Sequence, residues 1–183
     1  MEGKSVNPGL YVQELPGALD LGLRLALSQD GEGALSANLS DLKISGQLVD
    51  LPLKASGRAR YEGDELAAQD IFVKLGDNQI ALDGRVDGRE NGQSDFEWSL
   101  AAPNLSQLSQ LAGVELAGEV KGEGSLRGSV ANPKIATKLT ATEVTANGLN
   151  IVGAQFSLEG ARRKHRFSVE VETPQLELAL DGS

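Results

Sequence analysis

The sequence contains no cysteine and a single histidine, His165. Structural disulfides, thiolate metal sites and Cys-His nucleophile pairs are therefore excluded, and no second imidazole exists to share a metal. Aromatic residues make up only 4% of the 183 positions, and no apolar run approaches the roughly 18 residues of a membrane-spanning helix. Positive charge is also scarce: 17 Lys and Arg stand against 26 Asp and Glu, a net charge of -9. Such a chain repels a phosphate backbone, and no basic stripe with interleaved aromatics appears, so nucleic acid is not an expected partner. The opening "MEGKSVNPG" lacks the charged-then-apolar layout of a signal peptide. Residues 1–5 are expected to be vector-derived, and residues 1–183 to form one elongated segment of a larger protein.

What the sequence does have is alternation. In "ALDLGLRLALS" leucine occupies Leu19, Leu21, Leu23, Leu25 and Leu27 while Asp20, Gly22, Arg24 and Ala26 fill the gaps. A strand sends successive side chains to opposite faces, so this stretch carries one wholly apolar face; a helix would scatter the leucines. The same period recurs in "LKISGQL", "LPLKASGRARY", "DIFVKL", "QIALDGRV", "DFEWSL", "KIATKLTA", "QFSLEG" and "RFSVEVE". Between these runs lie Asp30-Gly31, Asp87-Gly88, Asn91-Gly92 and Asn147-Gly148, pairs that supply the positive φ of tight hairpins. With 22 glycines in addition, the pattern predicts an all-β antiparallel meander of about a dozen strands.

One stretch departs from it. "PNLSQLSQLAGV" places Leu105, Leu108 and Leu111 three apart, with Asn104 as N-cap and Gly113 as C-terminal stop. This predicts one short amphipathic helix near 104–112, acting as a lid over one end of a core. An internal repeat is also visible: "IALDG" (80–84) matches "FSLEG" (156–160), and "FEWSLAAPNL" (96–105) matches "FSVEVETPQL" (167–176), in the same order. Sub-repeats of about 42–113 and 114–182 are expected.

Catalytic and ligand-binding signals do not survive inspection. His165 falls in "RRKHR", read as a solvated hairpin tip, where a Ser-His-Asp triad would have to be built on a turn. "GEGSLRG" (122–128) has no helix behind it to hold a phosphate. Glu170 and Glu172 alternate with Val169 and Val171, and so share a polar face where carboxylates solubilise. The sequons at Asn38 and Asn104 are short patterns that arise by chance. No enzyme, cofactor or metal is expected.

A sheet with one apolar face needs a second layer or must curl. With helices too scarce to cover it, two options remain: a closed sandwich or barrel, or a sheet folded about its mid-line into an open trough. Gly46, Ala55, Gly57, Ala59 and Ala117 fill many inward positions, which leans towards the trough. The expected wall comprises Leu19, Leu21, Leu23, Leu25, Leu27, Ile44, Ile80, Leu82, Trp98, Ile135, Leu139, Ile151, Phe156, Val169 and Val171. The plain alternative for each is ordinary core packing, in a purely structural or adhesive spacer.

The segments "LGDNQIALDGRV", "LAAPNLSQLSQLAGVELAGEVKGEGSLRGSVANPKI" and "TANGLNIVGAQFSLEG" resemble the TamB family, in the β-repeat region near its C-terminal domain, over residues 6–182. The resemblance extends to the AsmA-like bridge proteins. It implies an elongated half-pipe, or β-taco, with a hydrophobic lumen, in the periplasmic portion of a protein anchored in the bacterial inner membrane. It also implies an outer-membrane barrel partner, TamA, and a cargo of nascent outer-membrane barrel proteins such as autotransporters, or of phospholipid acyl chains. The inner-membrane anchor and the C-terminal tail of a full member are not found in this sequence.

Overall fold

The computed structural model describes residues 2–6, 16–29, 31, 33–161, 164–174 and 177–182. Twelve strands follow one another: β1 (Glu2–Val6), β2 (Gly17–Gln29), β3 (Leu35–Leu48), β4 (Leu51–Glu62), β5 (Glu65–Leu75), β6 (Asn78–Asp87), β7 (Ser94–Ala102), β8 (Leu116–Ser129), β9 (Asn132–Ala146), β10 (Leu149–Ala161), β11 (Lys164–Glu172) and β12 (Glu177–Gly182). They form one antiparallel sheet in strict sequence order. Each strand packs on its sequence neighbours, and among the described residues the two edge strands do not pair with each other. The fold is therefore an open, curled sheet, consistent with the expected half-pipe and not with a closed barrel.

Two devices bend it. β5 carries an extra residue against both neighbours between Ala68 and Ile71, and β3 carries one between Leu39 and Leu42. Such bulges kink a strand and raise its twist. Asp70 sits in the bulge of β5 at φ 51, its N–H donating to Asp83 Oδ2 at 2.9 Å while its carboxylate accepts from Arg58 Nη2 at 2.7 Å. A third bulge, at Glu143 (φ 51) on β9, shifts the pairing with β8 between Ala117 and Glu119. Glycine supplies the other bends. Gly84 has φ 109, and a Cβ there would run into the Asp95 carbonyl and the Phe96 Cα of β7, so no other residue lets the two strands come so close.

Asn147-Gly148 forms the expected tight turn, with φ 48 and 82. Asp87-Gly88 and Asn91-Gly92 instead share one loop between β6 and β7, and Asp30 lies outside the described residues. "RRKHR" is not wholly a tip: β11 starts at Lys164 and His165 pairs with Gly160, while residues 162 and 163 lie outside the described residues. The helical stretch is a 3-10 turn (Leu105–Leu108) followed by one α turn, α1 (Ser109–Ala112). Gly113 stops it in the left-handed region at φ 68 as expected, whereas the Asn104 side chain does not cap it. Asn104 is instead tied across to Asn78, whose Nδ2 donates to the Asn104 carbonyl at 3.0 Å.

Substituting Gly84 by valine is expected to cost at least about 2 kcal/mol in urea unfolding, from strain plus collision. Gly31→Ala, where nothing lies within 4 Å of the added carbon, is expected to stay within about 0.5 kcal/mol.

Candidate functional site

Following the register from strand to strand shows what the alternation builds. Leu21 pairs with Ile44, Ile44 with Ala55, Ala55 with Val73, and Val73 with Ile80. The row continues through Leu100, Gly122, Leu139, Phe156, Val169 and Leu180. From β2 to β12 no polar side chain interrupts it. A parallel row runs Leu82, Trp98, Gly124, Thr137, Leu158 and Phe167, and a third runs Leu25, Leu39, Ala59, Ala68, Gly84, Phe96, Leu126 and Ile135. These rows share one face by strand alternation.

The structure thus brings together nearly all of the expected wall. Leu21, Ile44, Ile80, Leu139, Phe156 and Val169 stand in the first row, Leu82 and Trp98 in the second, Leu25 and Ile135 in the third. Leu23 faces Leu42 beside the second row, Leu19 and Val171 flank the first, and Leu27 lies one step beyond the third. Ile151 pairs with Val144, past the Glu143 bulge and apart from the rows. Sequence reasoning missed Val73, Leu100, Leu126 and Leu158, whose alternation was as clear as that of the residues chosen.

Among the described residues no second layer seals this wall. Among the described residues the only buried hydrophobic side chains are Val49, Ala55 and Ala102, and no large side chain is fully buried. Most wall residues are half-buried, because neighbours on a curled face shade one another. The glycine hollows are filled from within. The Trp98 indole occupies the space above Gly124, Leu139 that above Gly122, and the Phe167 ring that above Gly182. This pairing of a large side chain with a glycine makes the wall smooth instead of pitted.

A groove of about 970 Å³ lies on the opposite, polar face. Its floor is Ser56, Ala81, Ser99, Ala136 and Ser157, and longer side chains such as Glu123, Lys138 and Glu159 stand around it. Ion pairs on this face are exposed: Arg58 with Asp70, and Arg127 with both Asp95 and Glu97. Solvent screens such pairs, so they add little to stability. Among the described residues no group of three or more His, Asp or Glu side chains could hold a metal ion, and no helix is long and apolar enough to cross a membrane.

These features meet one family. Residues 1–178 match the family model described as "TamB, N-terminal domain". The chain belongs to the TamB family. Over 118 residues, 64% of this chain, it is also 28% identical to the translocation and assembly module subunit TamB of Haemophilus influenzae, of which the match spans 8%. No solved structure matches. The matched model is the N-terminal domain, whereas the motif resemblance points to repeats near the C-terminus.

One polar cluster is tightly held. At the β6–β7 loop the Asp87 carboxylate accepts from Arg89 Nε at 2.8 Å, Arg89 Nη2 at 2.5 Å and the Arg89 backbone N–H at 3.1 Å, while Arg89 Nη2 also reaches Glu65 at 3.1 Å. The Arg89 hydrogen bonds hold the Asp87 carboxyl down to about 2, against the partial opposition of its desolvation. With its folded value depressed, the group stabilises the loop at every pH above the ordinary carboxylate range, and that contribution disappears as pH falls from about 4 through about 2. A carboxyl-detected NMR titration is expected to give Asp87 a midpoint near 2; a midpoint near 4 would mean that the Arg89 clasp is absent in solution.

Proposed function

We propose that this chain is a non-catalytic segment of a periplasmic hydrophobic conduit, part of a translocation and assembly module subunit anchored in the bacterial inner membrane. In this reading the apolar wall shelters either acyl chains of phospholipids in transit between the membranes or strands of outer-membrane barrel proteins, autotransporters among them, with TamA as the outer-membrane partner. The observation that carries it is the unbroken row from Leu21 to Leu180, which runs across eleven strands in a layer that no second sheet or helix layer covers among the described residues. A soluble domain with that much apolar surface open in one direction has a guest or a neighbour for it.

The energetics favour a long apolar guest. Each methylene moved from water to an apolar wall is worth about 0.8 kcal/mol, so a 16-carbon chain represents roughly 12 kcal/mol before the costs of confinement. Strands about 4.8 Å apart give this segment a length on the order of 50 Å. It is one link of a longer conduit, in keeping with a chain that matches 8% of a curated relative. We assign it to the β-repeat portion of the parent protein.

Native mass spectrometry of the gently purified protein is expected to show adducts of phospholipid mass. Leu82→Arg and Ile135→Arg, which put a cation on the wall, are expected to lose them and, in the full-length protein, to abolish support of barrel assembly and envelope integrity. A bare wild-type chain, together with folded variants that retain full activity, would favour the structural spacer instead.

A further inference from the structure

The two long margins of the sheet, where the strands turn, differ in chemistry. One margin holds the β3–β4 turn, the β5–β6 turn and the helical insertion. There Val49 and Ala102 are buried, and so is the Asn78 side chain. The backbone is tied off by hydrogen bonds from Val49 N–H to the Pro16 carbonyl (2.8 Å) and from Gly76 N–H to the Pro52 carbonyl (2.9 Å). The insertion is clamped over this margin. Gln107 Nε2 donates to Asp77 Oδ2 at 2.8 Å, its Oε1 accepts from the Asp77 N–H at 2.8 Å, and the Leu116 N–H donates to Ser109 Oγ at 3.0 Å. From β3 to β8 this side is shut by polar bonds; the exposed Leu149 lies beyond it, on β10.

The opposite margin is also tied by polar bonds, Arg60 to Glu62, Arg89 to Glu65 and the Gly88 N–H to the Asp64 carbonyl (2.8 Å), but over β2 to β5 its wall face is apolar and exposed. Leu27 pairs with Ala37, Ala37 with Tyr61 and Tyr61 with Leu66, and Leu35 lies two residues before Ala37 on the same face. Leu25, Leu27, Leu35, Tyr61 and Leu66 are between 43% and 70% exposed, although they belong to the same face as the wall. The patch is continuous with the wall through Leu25, Leu39, Ala59 and Ala68.

We infer that this margin is where a long-chain phospholipid slides its acyl tails onto the wall, and that the insertion closes the other side. The inference rests on the conduit reading above. An acyl chain crossing the open margin stays in contact with apolar side chains throughout, whereas at the closed margin it would first have to displace hydrogen-bonded backbone and amide groups. The occupant is an acyl chain and not an unfolded polypeptide because, among the described side chains named in the three wall rows, only the Thr137 hydroxyl and the Trp98 indole N–H can form hydrogen bonds. Peptide groups laid on such a wall would go unsatisfied.

Trp98 is the single tryptophan and stands in the wall, so its fluorescence reports arrival. The experiment mixes the protein with a phospholipid brominated along its acyl chains and follows quenching of Trp98 by stopped flow. Wild type is expected to be quenched. The double variant Leu27→Asp with Leu66→Asp is expected to be quenched about tenfold more slowly, to the same plateau at saturating lipid. The single variant Leu35→Asp, next to the β2–β3 loop, is expected to slow in the same direction, and Gln107→Ala on the closed margin not to slow at all. Circular dichroism and the lipid-free Trp98 spectrum establish that each variant folds. No quenching in wild type would sink the conduit reading and this inference with it. Equal rates in wild type and both Asp variants, or slowing by Gln107→Ala alone, would overturn the margin assignment while leaving the conduit standing. Quenching by a brominated unfolded peptide but not by the lipid would overturn the choice of occupant.

Discussion

A β-sheet one layer thick has two faces, and when one is lined with leucine, isoleucine and valine the free energy of that face must be met somewhere. Among the described residues it is met without a second sheet and without a layer of helices. Each strand touches its sequence neighbours, and the only helical residues described, 105–112, cover part of one margin. The remaining recourse is curvature, which lets neighbouring side chains shade one another. Bulges at β3, β5 and β9, and glycines such as Gly84 whose neighbour strand leaves no room for a Cβ, provide that curvature. Shading is incomplete, so the wall stays half-exposed.

The rest of the molecule serves that wall by isolating it. The polar face carries alternating charge in exposed pairs that contribute solubility more than stability. The turns are fixed by specific bonds, the Arg89–Asp87–Glu65 cluster at one margin and the Gln107–Asp77–Asn78 cluster at the other. Both clusters sit where strands reverse, and there unpaired backbone groups most need partners. With the ladder satisfied along the strands, variation is left to the side chains of the wall and to its two margins.

Strand-level structure was legible because period-two alternation is strong in Leu19 to Leu27 and recurs in most of the later strands. The rows were legible too, since a meander of adjacent strands permits few other registers once the faces are known. The bulges were not. Asp70 and Glu143 adopt positive φ without glycine, and nothing in "AAQDIF" or "TATEVT" marks an extra residue. The turn at Val49-Asp50 was also missed: a valine at φ 53 is sterically unfavourable and is held there by its burial and its bond to Pro16. The repeat was visible, yet its two copies differ in register. Ile80 and Phe156 stand in the same row, but Phe96 faces Gly84 while Phe167 faces Leu158, a two-residue slide that keeps every side chain on its face. For the helix, leucine spacing identified the segment but not its role for Asn104, which depends on Asn78, 26 residues earlier.

The central claim is that an uninterrupted apolar surface runs the width of the sheet and stays accessible. Methyl NMR under dissolved oxygen, a small apolar paramagnetic guest, tests this most directly. The account predicts strong relaxation enhancement at the methyls of Leu21, Ile44, Ile80 and Leu139 together, well above that at buried Val49. Row methyls as protected as those of Val49 would show the surface closed by the protein itself, and would contradict the account.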